Sequence, residues 1–170
     1  MKKLILNLIK LKKLGAIAVK QSLEDEGASF KDIERMRTMT LAANLNLNVK
    51  IGGCEAKNDI YFCKKICVDG IVAPMVESQY ALNKFIQTAS DNKKNFLYIN
   101  LESKLAFNNI NEIMNSSNFK LLKGVVIGRS DLTGSFGLTR NYVDSERIYK
   151  KLFNILKKIQ KIKIKKNKLI

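Results

Sequence analysis

The chain has 170 residues, 46% of them apolar, and carries a formal charge of +16. That length supports one domain with a real core. It contains no histidine, which excludes a Ser-His-Asp or Cys-His catalytic centre. The cysteines Cys54, Cys63 and Cys67 fall short of the ligand set of a structural zinc site. They read as reduced and mostly buried thiols, with Cys63 and Cys67 on one helix face. No apolar run is long enough to span a membrane.

The charge is unevenly spread. Residues 1–14 hold five lysines and no acid, and residues 150–170 hold nine lysines and no acid. Between them, residues 15–149 hold 17 basic and 15 acidic side chains. A nucleic-acid-binding domain carries its basic stripe on the folded body. No specific nucleic-acid partner is therefore expected, and the tail reads first as a solvated lysine-rich end, with weak anion binding as the alternative. The chain divides into an amphipathic segment (1–14), a domain (15–149) and a lysine-rich helix or tail (150–170). Lys10, Lys12 and Lys13 interrupt the apolar run of a signal peptide, so a cytoplasmic location is expected.

In chain order, residues 16–20 (AIAVK) predict a strand and 30–44 a helix. Residues 48–51 (NVKI) predict a strand stopped by Gly52 and Gly53, and 55–67 a helix. A strand over 71–76 (IVAPMV) precedes a helix over 78–89. A strand over 96–101 (FLYINL) precedes a helix over 104–114, and 124–127 (GVVI) is a fifth strand. After a glycine-bearing loop over 131–137, Asp144 or Ser145 caps a last helix running toward Lys161. Short apolar strands alternating with helices predict a parallel sheet buried on both faces. No GxGxxG follows the first strand, as a dinucleotide fold would want. Polar residues instead follow almost every strand, which is how a (β/α)8 barrel builds its site. Eight units need about 250 residues, so about five units predict an incomplete TIM-type barrel.

Glu102 ends the fourth strand and Asp131 follows the fifth. Strands joined by one helix are usually neighbours, so these carboxylates converge at one rim. An all-oxygen pair suits Mg2+ or Mn2+, and such an ion binds a keto acid and stabilises its enolate. Either carboxylate alone is better explained as a helix cap, and it is the two together at matched strand ends that point to a metal. Lys50 either holds a substrate carboxylate or acts catalytically by polarising a carbonyl, or it pairs with a rim carboxylate such as Glu24. Gly52 and Gly53 either admit a ligand close to the backbone or turn the chain. Arg129 either reaches substrate or pairs with Glu102 or Glu77. The 131–137 loop is a weak candidate for an anion cradle. For the general acid or base, Glu24 and a metal-bound water both stand as candidates.

The stretches SLEDEGAS (22–29), VKIGGCEA (49–56), GIVAPMVES (70–78), YINLES (98–103) and VVIGRSDLTGSFGL (125–138) resemble the HpcH/HpaI aldolase and citrate lyase β-subunit family in order and spacing. The resemblance implies a (β/α)8 barrel and metal-dependent cleavage or formation of a carbon–carbon bond. The implied substrate is a small 2-keto-acid aldol or an acyl-CoA ester. It places the metal ligands on Glu102 and Asp131, and brings Glu24, with Glu26, toward the site. The family's substrate-binding arginine falls on Lys50, a point charge without the bidentate fork. Homo-oligomers are implied. The lysine-rich end in place of further barrel units resembles a truncation, and the alternative expectation is an inactive fragment with only a structural role.

Overall fold

The structure, a computed structural model, describes residues 1–90 and 95–167, the last seven by backbone alone. Helix α1 (Lys2–Lys13) precedes β1 (Ala18–Ser22), α2 (Phe30–Ala42), β2 (Asn46–Lys50), α3 (Lys57–Lys65), β3 (Gly70–Ala73) and α4 (Gln79–Ala89). Then come β4 (Phe96–Leu101), α5 (Lys104–Asn108), α6 (Ile110–Asn115), β5 (Gly124–Ile127), α7 (Arg129–Ser135) and α8 (Glu146–Asn167). The five strands are all parallel and lie in sequence order, β1 to β5. They form a curled half-barrel, an incomplete TIM-type α/β fold.

The two faces of the sheet differ in chemistry. Leu47 and Val49 of β2, Ile71 and Ala73 of β3, and Ile99 and Leu101 of β4 are fully buried. They alternate with Asn48, Lys50, Tyr98 and Asn100, which share the opposite, concave face. Burial on both faces therefore holds for β3 alone. Burial alternates along β2 and β4 until their buried carboxyl ends, while the edge strands β1 and β5 are mostly half-buried. On the concave face, glycines of odd strands make room for side chains of even strands. A Cβ on Gly70 would lie 2.2 Å from Asn48 Oδ1, and one on Gly124 would lie 3.2 Å from Tyr98. Barrel interiors fill in this way, each layer drawing its side chains from alternate strands.

Some local expectations fail for identifiable reasons. The helix over 104–114 breaks into α5 and α6 at Asn109, whose side-chain amide donates to the Glu77 carbonyl at 2.8 Å. The expected loop over 131–137 is largely helix α7, closed by Leu132 N–H to Gly128 O at 3.0 Å and by Thr133 Oγ1 to Arg129 O at 2.7 Å. Only Gly137, with φ 72°, turns the chain there. Cys67 lies beyond α3 with φ 55° and is exposed, so it shares no helix face with buried Cys63. Neither expected cap of α8 uses its side chain: Asp144 pairs with Arg129, and Ser145 Oγ is buried without a partner.

Candidate active site

The carboxyl ends of the strands carry the polar cluster. Three serines decide which side chains are free to enter it. Ser29, Ser78 and Ser103 cap α2, α4 and α5, each accepting from a backbone N–H of the first turn. Ser103 thus takes over the capping role that Glu102 would otherwise fill, with Ala106 N–H donating to its Oγ at 3.1 Å. Glu102 follows Asn100 by two residues and points to the same concave face. It is 1% exposed.

Three donors hold the Glu102 carboxylate. The Met75 N–H donates to Oε1 at 3.0 Å, and Asn100 Nδ2 donates to Oε2 at 2.8 Å. Lys50 Nζ stands 3.5 Å from both oxygens. Gly128, directly after β5, leaves the space it fills: a Cβ there would meet Glu102 Oε2 at 2.5 Å and its Cβ at 2.7 Å. Met75 adopts φ 48°, unusual for a side chain of that size, and this conformation accompanies its N–H bond to Glu102.

Lys50 ends β2, level with Ser22 of β1 and Val72 of β3. The residue is 4% exposed, and its ammonium spans the cluster from Asp25, its closest ion-pair partner, to Glu102. The sequence offered a rim carboxylate such as Glu24 as the ion-pair alternative, and among the rim carboxylates the structure gives that place to Asp25 and Glu102. Burial works against the Lys50 charge, but the hydrogen bond to Asp25 and the charges of Glu102 and Asp25 outweigh it and raise its pKa above 10.5. Lys50 is therefore a fixed cation at neutral pH. A group with a raised folded-state pKa stabilises fully below its unfolded value and loses that contribution as pH rises through the folded one. Wild-type stability should therefore decline above pH 10.5 more steeply than that of Lys50→Met, as read by urea denaturation across that range. Parallel curves would show that the pair contributes nothing.

A cavity of about 390 Å3 opens over this cluster. Glu24, Asp25, Lys50, Glu102 and Asp131 line it, with Gly52 and Gly53 on one wall and Pro74 and Met75 on another. Of the residues singled out from sequence, Glu24, Lys50, Gly52, Gly53, Glu102 and Asp131 thus share one hollow. Arg129 does not line it; it is exposed and donates to Asp144 Oδ1 at 2.6 Å rather than to Glu102 or Glu77. Glu26 turns away, accepting from Ser22 N–H at 3.0 Å and pairing with Lys20 at 3.8 Å. Gly53 has open space around a Cβ, whereas one on Gly52 would touch Glu24 at 3.0 Å. Burial raises the thiol of Cys54, at the cavity wall, to about 11 and that of Cys63 to about 12, which leaves both protonated at neutral pH.

A sequence profile described as HpcH/HpaI aldolase/citrate lyase matches residues 33–165. The chain belongs to this family. No curated protein sequence matches the chain significantly, but solved structures share its fold. Citrate synthase SbnG is 15% identical with a TM-score of 0.75, the alignment covering 90% of this chain and 68% of that one. An HpcH/HpaI aldolase from Desulfitobacterium hafniense DCB-2 is 15% identical, TM-score 0.72, over 89% of this chain and 69% of its own. An HpcH/HpaI aldolase/citrate lyase family protein from Burkholderia cenocepacia J2315 is 12% identical, TM-score 0.74, over 89% and 70%. At these identities the likeness is one of fold.

HpcH/HpaI proteins are generally dependent on a divalent metal, and the cavity's chemistry bears on whether this chain fits one. Among the described residues, no group of three Cys, Asp or Glu side chains is placed to hold an ion. The cavity's carboxylates include Glu102, directly after β4, and Asp131, in the first turn of α7 after the neighbouring β5, while the Cys54 thiol at its wall is protonated. Mg2+ is commonly bound through one or two carboxylates, with waters and substrate completing the shell. Two carboxylates beside a 390 Å3 hollow fit that mode.

Proposed function

We propose that the chain is a metal-dependent carbon–carbon lyase of the aldolase or citrate-lyase type, acting on a 2-keto-acid aldol or an acyl-CoA ester. The supporting observation is the convergence of Lys50, Glu102 and Asp131 on one cavity at the carboxyl rim, with Glu102 released from helix capping by Ser103. Glu102 and Asp131 would hold Mg2+ or Mn2+, which supplies charge stabilisation for the carboxylate and carbonyl oxygens of a keto acid or ester. Lys50, a permanent cation, attracts the substrate's carboxylate and holds it beside Glu102. It does so as a point charge, so it fixes position less tightly than a guanidinium fork would. Gly53, with no side chain and open space in front of it, lets the substrate approach the backbone. Glu24 lines the same cavity and is the chain's own candidate to take or return the proton.

A second reading draws on the sheet's edges. Among the described residues, β1 pairs only with β2, and β5 only with β4. An open half-barrel of this kind suits a chain with a structural or oligomer-forming role.

Calorimetry of Mn2+ binding separates the two. The lyase reading expects saturable binding that weakens at least about tenfold in Asp131→Ala, followed by turnover of a keto acid or CoA ester. Equal affinity in wild type and variant, or no binding at all, would leave only the structural role.

A further inference from the structure

The last helix carries a second apolar face that the core does not use. Ile148, Ile155 and Ile159 of α8 are buried against the sheet's helical layer. About a quarter-turn away, Tyr149, Phe153 and Leu156 form a stripe at i, i+4 and i+7. They are 63%, 45% and 45% exposed. The rings of Tyr149 and Phe153 stack at 6.1 Å between centroids, and Lys157 Nζ lies 4.3 Å over the Phe153 ring. The aromatic pair is therefore preformed at the surface and already bordered by positive charge.

Lys150, Lys157 and Lys158 are exposed on the same helix. From residue 150 to 170 the sequence has nine lysines and no acidic residue. A second copy of the chain fits this stripe poorly, because symmetric contact would set one lysine-rich helix against another. A duplex nucleic acid would use the lysines but would leave the ring–leucine stripe without an apolar partner. An anionic lipid surface satisfies both features. Apolar and aromatic side chains enter the headgroup boundary while flanking lysines meet lipid phosphates. No helix among the described residues is long and apolar enough to cross a membrane, so the helix would lie along the interface.

We infer that α8 docks the protein on anionic phospholipid membranes through Tyr149, Phe153 and Leu156, with its lysines supplying the attraction. The full chain, wild type and Tyr149→Ser/Phe153→Ser, is sedimented with phosphatidylcholine vesicles and with phosphatidylcholine–phosphatidylglycerol vesicles. Both proteins are first checked by circular dichroism for equal folding. The wild type should bind only the mixed vesicles and release as salt rises. The double variant keeps every lysine and should lose about tenfold or more of its partition. Undiminished binding by the variant would reduce the effect to charge alone and overturn the inference. So would binding to duplex RNA but not to the mixed vesicles, or a shift from dimer to monomer in the variant without vesicle binding by wild type.

Discussion

Glu102→Ala is expected to cost the fold about 3–5 kcal/mol, the usual penalty for breaking a buried ion pair from one side. Three donors lose their common acceptor: the Met75 N–H, the Asn100 amide and the Lys50 ammonium. Lys50 retains Asp25, which favours the lower end of that range. Mn2+ affinity should fall by at least about a hundredfold, since even the supporting partners of a metal ligand are worth up to that much. Glu102→Gln separates the two effects. Asn100 Oδ1 is buried and unpartnered, so a turned Asn100 amide can accept from the new glutamine. That variant should stay folded and still lose the metal. Calorimetry beside urea denaturation reads both quantities, and a Glu102→Gln protein with wild-type Mn2+ affinity would remove Glu102 from the metal site.

Gly128→Ala tests the same carboxylate by steric means. The added methyl would lie 2.5 Å from Glu102 Oε2 and 2.7 Å from its Cβ, distances no real pair sustains. Glu102 is enclosed by three donors and cannot simply swing aside. Overpacking of this kind costs about 1–3 kcal/mol, and a displaced carboxylate should weaken Mn2+ binding by about ten- to a hundredfold. Gly53→Ala is the matched control, because its methyl meets nothing within 4 Å. If Gly128→Ala binds Mn2+ as the Gly53→Ala protein does, the crowding at Gly128 has no bearing on the site.

The sheet was legible because its signal is local. Five short apolar runs separated by helical periods produce five parallel strands in sequence order. The cavity's lining was legible where strand ends fix direction: Lys50 and Glu102 follow from counting along β2 and β4, and Asp131 lies just past β5 in the first turn of α7. Asn100 was within reach of the same count, two residues before Glu102. Gly128 was not, since its meaning is a distance to another strand. Nor was Asp25. Three consecutive acids, Glu24, Asp25 and Glu26, follow Leu23, and which one turns inward depends on the path of an irregular segment. The fate of Arg129 was equally hidden, because Asp144 is fifteen residues away and joined only in three dimensions.

The amides and phenol on the concave face have a consequence for how much water the molecule tolerates. Wetting a surface of Asn48, Tyr98 and Asn100 leaves polar groups with a solvent partner, whereas wetting Leu47, Ile71 and Ile99 would forfeit the transfer energy that drives folding. Cohesion therefore resides in the layer between sheet and helices, where the fully buried aliphatics are. The hollow of the half-barrel is faced instead by polar groups, so water entering it costs the fold little.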